Sequence, residues 1–374
     1  MSRASAGTRP RAGALFVVFA MLMSFPAKAG SIPDQISSPL PAATSSTCGH
    51  GCRCSHNATV ANCSYANLVQ VPQFPASTRV LVLDWNHIGR LGTSLGTKPT
   101  SAGNDTTSAS LELISVSHNN VSKIASTAMS GLKALRQLRL DNNHIHRLPV
   151  AMFADTPLLA AMSLAGNPHL NMTSVAAALS PSRLALLRYL DLSKIDTIAV
   201  DGGLPETVFS QLPALEHLVL RDTAIANMSA GFFTALSGTC LTTLDLTGSS
   251  IGEVNDTALE PLAESLERLI LDRAIISPRD LDAVFAGLAT GSNNTRLQSL
   301  SLKNVFVEDA HNAAVGQHLF RDLTATRSQC FSFIVNCLSS LLSSYSLSHE
   351  ICGAQIWLEK VKVKVNVYLY SASS

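Results

Sequence analysis

Apolar residues recur through the middle of the chain as L-x-x-L-x-L, with a polar or small residue three places after the last leucine. Leu111-Ile114-Val116-Asn119-Val121, Leu135-Leu138-Leu140-Asn143-Ile145 and Leu159-Met162-Leu164-Asn167 follow one another in this form. Leu187-Leu190-Leu192, Leu215-Leu218-Leu220, Leu241-Leu244-Leu246, Leu266-Leu269-Leu271 and Leu297-Leu300-Leu302 continue it, and Leu81-Leu83-Asn86-Ile88 opens it, which makes nine copies. Their ninth positions fall at 86, 119, 143, 167, 195, 223, 249, 274 and 305, in steps as short as 24 residues (119 to 143) and as long as 33 (86 to 119). The longest steps hold inserts at 92–108, rich in Gly, Ser and Thr, and at 289–296. Such a period marks stacked units, none of which can bury its apolar face alone. The L-x-L core alternates, so it predicts a short strand with its leucines turned inward, and neighbouring strands stack in parallel at ~4.8 Å. The other half of each copy reads as a short helix or turn with its own inward anchors, such as Phe153 before Leu159 and Phe209 before Leu215. The two sides need different widths, so the stack should curve with its sheet on the concave side: an α/β solenoid.

The turn after each strand leaves backbone groups unpaired. An inward Asn at position nine can bond them in its own and the next copy. Asn stands there in the first four copies and gives way to Ile195, Thr223, Ser249, Ala274 and Val305. Thr and Ser can serve in part, the others cannot, so a less regular C-terminal half is expected.

Open stacks need caps. Cys48, Cys52, Cys54 and Cys63 crowd just before the first copy and read as a disulfide cap, although spacing alone leaves three pairings open. A zinc site is not expected, because no nearby Cys or His pair has ligand spacing. At the far end 318–323 begins like a tenth copy, but Gln329, Cys330 and Phe331 stand where leucines belong. The remaining residues share neither composition nor period with the repeats, and a truncated or altered end is expected. Within it 360–370 opens with strict alternation, Lys-Val-Lys-Val-Lys-Val, as an amphipathic strand does, but disorder is the expectation there.

Arg3, Arg9 and Arg11 precede an apolar run from Ala14 to Phe25 and the small-x-small pattern Ala27-Lys28-Ala29. This is the form of an export signal, and the run is too short to span a bilayer. The expected organisation is signal peptide 1–29, linker 30–47, cap 48–77, repeats 78–324 and divergent tail 325–374. Export gives meaning to the Asn-x-Ser/Thr sites at Asn57, Asn104, Asn120, Asn171, Asn227, Asn255 and Asn293. An eighth, Asn62, adjoins Cys63 and is the poorest acceptor. A net charge of +1 and 14% charged residues offer no global attraction to nucleic acid or an anionic membrane.

The run Cys-x3-Cys-x-Cys-x8-Cys followed by Leu68-x2-Val71-Pro72, together with the copies, resembles the extracellular leucine-rich-repeat family over roughly 48–324. The resemblance implies the pairs Cys48–Cys54 and Cys52–Cys63. Uneven repeats, many sequons and Phe-x2-Leu turns such as Phe320-x2-Leu323 look most like a truncated Toll-like receptor ectodomain. The small-proteoglycan and axon-guidance branches match the cap equally well. What this implies is a secreted, glycosylated sensor or decoy for pattern recognition in innate immunity. The alternatives are a matrix or cell-guidance protein, or the ectodomain fragment of a single-pass signalling receptor. The last would place the chain at the plasma membrane or in the endosomal lumen, within a membrane receptor complex.

Binding is expected on the concave face, where side chains between the leucines point. Arg136, Arg139 and Asp141 lie there in copy three. Arg188, Tyr189, Asp191 and Lys194 lie there in copy five, and Glu216, His217, Arg221 and Asp222 in copy six. Copy eight adds Glu267, Arg268, Asp272 and Arg273. Mixed signs suit a protein or glycan ligand more than a phosphate polymer. Trp85 and His118 share position eight of neighbouring copies, and exposed aromatics favour interfaces. His87, His118, His144 and His146 read as surface histidines, with pH-dependent binding as the alternative. Cys240 reads as a buried free thiol. No enzyme and no cofactor or metal is indicated. Gly92-Thr93-Ser94-Leu95-Gly96 matches a nucleophile elbow, but it sits in an insert and not between a strand and a helix.

Overall fold

Each copy turns its fourth-position side chain inward, and these side chains form one column. Leu81, Ile114, Leu138, Met162, Leu190, Leu218, Leu244, Leu269 and Leu300 are all buried, and consecutive members are register partners on adjacent parallel strands. Burying such a side chain contributes ~1.5–3 kcal/mol, so the column is a large part of what holds the stack together. The computed structural model describes residues 46–47, 51–55, 57–92, 95, 110–179, 184–196, 198, 203–290, 296–301 and 332–334.

The repeat strands are Val80–Val82, Leu113–Ser115, Gln137–Arg139, Ala161–Ser163, Tyr189–Asp191, His217–Val219, Thr243–Asp245, Arg268–Ile270 and Ser299–Ser301. They lie side by side in chain order in one 13-stranded sheet. At its N-terminal edge the sheet continues through Val60–Asn62, parallel to the first repeat, and then through Arg53–Cys54 and Ser46–Thr47, which run antiparallel. This hairpin edge is the cap. Cys52 and Cys63 are bonded to each other, and Cys54 is also in a disulfide. Its expected partner Cys48 lies outside the described residues.

The return path of each repeat is short and apolar inward, as expected, and Phe153 and Phe209 are buried in it. The helix Met172–Leu179 turns Met172, Val175, Ala178 and Leu179 into the core. Asn171 caps it, its Oδ1 accepting from the Ser174 N–H at 3.0 Å. The helix Pro278–Thr290 starts in the same way, with Ser277 Oγ accepting from the Asp280 N–H at 3.1 Å.

Three expectations need correction. The C-terminal half is not less regular, since its strands keep the same register to Leu300. A second parallel ladder of Ala224–Met228, Ser250–Val254 and Ile275–Ile276 follows its turns, longer than the two-residue ladder of Arg90–Leu91 with Lys123–Ile124 that follows the Asn turns of repeats 1 and 2. The sheet does not stop at the ninth repeat either: Ser332–Ile334 pairs in parallel with Ser299–Ser301, with Phe333 opposite Leu300. The other residues of 325–374 lie outside the described residues. Finally, Cys240 is exposed, because it precedes the inward Leu241 on the outer side of the turn.

The ninth-position asparagines behave as their chemistry requires, with one difference in direction. Asn143 Oδ1 accepts from the Val121 N–H at 2.9 Å, and Nδ2 donates to the carbonyls of Val116 and Leu140 at 2.9 and 3.0 Å. The repeat bridged is the preceding one, not the following. Asn86, Asn119 and Asn167 make equivalent bonds.

Candidate binding face

The side chains at positions 2, 3, 5 and 7 of each repeat lie on the strand face away from the leucine column. Arg136, Arg139, Asp141, Arg188, Tyr189, Asp191, Glu216, His217, Arg221 and Arg268 occupy these positions, on neighbouring strands held in register. Position 8 is different. Trp85, His118, Asn142, Lys194, Asp222 and Arg273, with Gly166 and Gly248, all take positive φ between 51° and 71°. The chain makes a left-handed turn there as it leaves the sheet. Asp222, Arg273 and Lys194 therefore line the rim of the face and not its floor, as does Tyr65 of the cap, with φ 58°. Glycine at 166 leaves room for the Asn142 amide, which a Cβ there would displace.

A carboxylate–hydroxyl network covers the floor. Asp84 Oδ1 accepts from Ser115 Oγ at 2.7 Å and from the Ser117 N–H at 2.8 Å. Asp141 is held by Ser117 Oγ at 3.0 Å and by Ser163. Asp191 Oδ1 accepts from the Ser193 N–H and hydroxyl at 2.9 and 2.5 Å. Asp245, almost fully buried, accepts from Thr247 and from Arg221 Nε at 2.8 Å. Burial pushes the Asp84 and Asp191 carboxyls up from the usual range, against the bonds from Ser115, Ser117 and Ser193, which pull them down. Burial raises the Tyr189 phenol too, and Asp191 beside it adds to the rise. Burial lowers the His217 imidazole. Asp84, Ser163 and Asp245 were not singled out in the sequence. Aligning the copies in columns reveals them, since positions 5 and 7 interleave acids with hydroxyls.

Three polar atoms on this face are buried without a hydrogen-bond partner: Gln137 Oε1, Arg139 Nε and His217 Nδ1. Leaving such a group unmet costs ~1–3 kcal/mol, so each side chain gains by turning outward onto a partner.

The rim carries two further features. Tyr65, Trp85 and His118 stack in a row, with centroids 5.7 and 3.8 Å apart and rings within 8° of parallel. Tyr65 and Trp85 remain 70% and 49% exposed, so the row both packs the cap and faces solvent. Further along, a depression of about 530 Å³ opens between Asn142, Gly166, Lys194, Asp196 and Asp222, over Pro168 and Ala224. Among the other histidines, His146 stacks on His169, whose Nδ1 lies 3.0 Å from Asp196.

Among the described residues no three His, Cys, Asp or Glu side chains converge as metal ligands, and no helix is long and apolar enough to cross a membrane. The serine of the Gly-x-Ser-x-Gly run lies outside the described residues. The described sequon residues Asn57, Asn120, Asn171, Asn227 and Asn255 are all exposed. The last four follow the strands of their repeats, beyond the rim, and Asn57 sits in the cap. Asn104 and Asn293 lie outside the described residues.

The leucine rich repeat family model matches residues 109–170. Tsukushi of Gallus gallus is 35% identical over 126 residues, which are 31% of this chain and 32% of that protein. The chain thus spans about a third of that relative's length. The mouse RP105/MD-1 complex superimposes with a TM-score of 0.50 at 19% identity, covering 69% of this chain and 39% of that one. That likeness shows the fold. Human 5T4 (Wnt-activated inhibitory factor 1, trophoblast glycoprotein) gives a TM-score of 0.49 at 23% identity, covering 74% and 88%.

Proposed function

We propose that this leucine-rich-repeat protein, with its disulfide-closed cap, is an exported binding protein whose concave sheet face docks a protein ligand. The observation that carries the reading is the pairing state of that face. Gln137, Arg139 and His217 hold buried polar atoms that nothing among the described residues satisfies, while the exposed sequons of the repeats lie beyond the rim. Glycans there would leave the floor open. The mixed charges already described favour a polar, specific contact over non-specific attraction. The basic start, apolar run and small-x-small site within 1–29 support export, as do the disulfides of the cap.

Within that role we take pattern sensing of the Toll-like kind as the working function, in a soluble form or as part of a receptor complex. Mouse RP105, which forms a complex with MD-1, supports a protein partner for this type of fold. The recombinant chain, secreted from cultured cells, tests the reading on one surface-immobilised panel of microbial envelope fractions, matrix proteins and cell-surface ectodomains. Binding to envelope material that His217→Ala and Arg139→Ala weaken together supports pattern sensing. Binding only to matrix proteins or guidance-receptor ectodomains moves the role to the matrix or guidance branch. Ligand binding untouched by either change removes the concave face from the account.

A further inference from the structure

Position 2 carries two Arg–Glu ion pairs between neighbouring repeats and two places where one partner is replaced, Ala160 opposite Arg136 and Thr242 opposite Glu267. Arg79 of repeat 1 bonds Glu112 of repeat 2 through Nε at 3.0 Å and through a terminal nitrogen. Arg188 of repeat 5 bonds Glu216 of repeat 6 at 2.7 Å. In both pairs the backbone sets the register, the acid's N–H donating to the arginine's carbonyl at 2.7 and 2.9 Å. Arg136 of repeat 3 stands in the same relation to repeat 4, where the Ala160 N–H donates to its carbonyl at 2.8 Å. The side chain at that place is a methyl group. Among the described residues Arg136 forms no ion pair: its N–H donates to the Glu112 carbonyl at 2.8 Å on the preceding strand, but the Glu112 carboxylate is turned the other way, onto Arg79. The strand that follows Arg136 carries two of the unmet atoms, Gln137 Oε1 and Arg139 Nε. The nearby Asp141 carboxylate accepts from Ser117 and Ser163 and, as an acceptor only, cannot meet Gln137 Oε1.

We propose that a protein partner supplies the missing carboxylate. An Asp or Glu on an extended partner loop seats over Ala160 and pairs with Arg136, whose planar guanidinium suits a two-point grip on a carboxylate. The loop backbone meets the strand beside it as Gln137 and Arg139 turn their buried ends outward, an N–H donating to Gln137 Oε1 and a carbonyl accepting from Arg139 Nε. This rests on the concave face being the docking face, and adds what the partner carries there. The acid is a single one. Glu112 and Glu216 stand two strands away on either side, ~10 Å by strand spacing, and Asp141 shares the strand of Arg136. Together they repel a run of anionic groups but leave room for one. That favours a protein loop over a sulfated or polysialylated glycan.

The test pans the full chain against a random-peptide display library. The enriched peptides are synthesised and measured against wild type, Arg136→Gln, Ala160→Glu, Ala160→Gln and Tyr189→Ala. Sulfated and sialylated glycans are measured in parallel. Enriched peptides are expected to share one Asp or Glu at a fixed place. Arg136→Gln should weaken them about tenfold or more, and Ala160→Glu more than Ala160→Gln, because the new carboxylate takes Arg136 for itself. Circular dichroism and the thermal midpoint confirm folding, and Arg136→Gln, at an exposed site, keeps the question answerable if either change at 160 misfolds. Peptides without a shared acid, no enrichment, or glycan binding without peptide binding overturn the proposal. Peptides weakened by Tyr189→Ala but by neither Arg136→Gln nor Ala160→Glu overturn it while leaving the concave face as the docking face. Peptides weakened by none of the changes remove both.

Discussion

Repeats 1–4 and repeats 6–8 meet the same demand by different means. In both, the left-handed turn after the strand swings the chain out of the sheet and leaves inward backbone groups in need of partners. The first four repeats use one side chain. Asn143 alone bonds the N–H of Val121 and the carbonyls of Val116, Leu140 and Asp141, so one amide ties two repeats together. In repeats 6–8 the backbone does most of that work itself. Ile225, Ile251 and Ile276 stand opposite one another in a parallel ladder that starts one residue after the ninth position. Only two hydroxyls remain from the side-chain solution. Ser249 Oγ donates to the Leu220 carbonyl at 2.7 Å and accepts from the Thr223 N–H at 3.2 Å. The amide solution is local and tolerates repeats of unequal length on its far side. The backbone solution appears in short form beside the amides of repeats 1 and 2, where Arg90–Leu91 pairs with Lys123–Ile124, and is longest in repeats 6–8, where the amides are gone.

The largest expected effect comes from removing an amide where nothing else can replace it. Asn143→Ala leaves the Val121 N–H and the Val116 carbonyl bare inside the stack. At ~1–3 kcal/mol per unmet group, a loss of about 4 kcal/mol is expected. Native-state hydrogen exchange should show it as lost protection around 116–121 and 140–145, with 224–228 unchanged. A loss below about 1 kcal/mol would mean that the amide row is not what holds the N-terminal half.

The converse break belongs to the second region. Gly252 lies in the middle strand of the extra ladder, and a Cβ there would drive into the Ala226 carbonyl oxygen. Gly252→Ala should cost about 2 kcal/mol by forcing the two strands apart, with exchange rising at 224–228 and 250–254. Gly89 is the matching control in the first region, where the nearest atom to a new Cβ is the Asn120 carbonyl oxygen at 3.9 Å. Gly89→Ala should leave stability unchanged or raise it slightly. Equal losses at the two glycines would erase the distinction drawn between the regions.

A smaller effect should be common to both. Asp84 in repeat 1 and Asp191 in repeat 5 each have a carboxyl raised by burial. A folded-state value above the unfolded one means that the folded chain holds the proton more readily. The stabilisation is complete below the unfolded value of about 4 and is lost as pH rises through the folded value. Asn in either place removes the titration. Asp191→Asn and Asp84→Asn should therefore gain stability relative to wild type as pH is raised from about 4 to 7, seen in thermal midpoints measured across that range. A slope of opposite sign at either site would contradict the burial argument.

Much of this was legible in the sequence because the leucine pattern reports inward side chains, and inward side chains are what stack. The amide row at 86, 119, 143 and 167 was legible for the same reason: an Asn in an inward register has to be bonding something. The second ladder was not. Ala224 to Met228 has no alternation that marks a strand, and its pairing is backbone to backbone across 26 residues (224 to 250), which side-chain pattern does not report. Loss of Asn was therefore read as loss of order, when the backbone had taken over its task. On the concave face the charged residues were legible one by one. Their pairing was not, because Arg188 and Arg136 look alike until Glu216 and Ala160 are set beside them. The exposure of Cys240 was missed because its neighbour Leu241 is the inward residue.

The smallest change probes how far the second region depends on what remains of side-chain bonding. Thr223 Oγ1 donates to the Leu220 carbonyl at 2.8 Å, and the same carbonyl accepts from Ser249 Oγ. Thr223→Val keeps the shape and deletes the hydroxyl. Leu220 retains one donor, the Thr223 N–H still reaches Ser249, and the ladder beginning at Ala224 is untouched, so no buried backbone group is left bare. The expected cost is about 1 kcal/mol, the net worth of one hydrogen bond rather than of an unmet group. Asn143→Thr should cost well over twice as much, since one hydroxyl cannot span the contacts of the amide. If the two substitutions cost the same in chemical denaturation monitored by local exchange, the backbone ladder does not relieve the side chains, and the two halves of the stack are held alike.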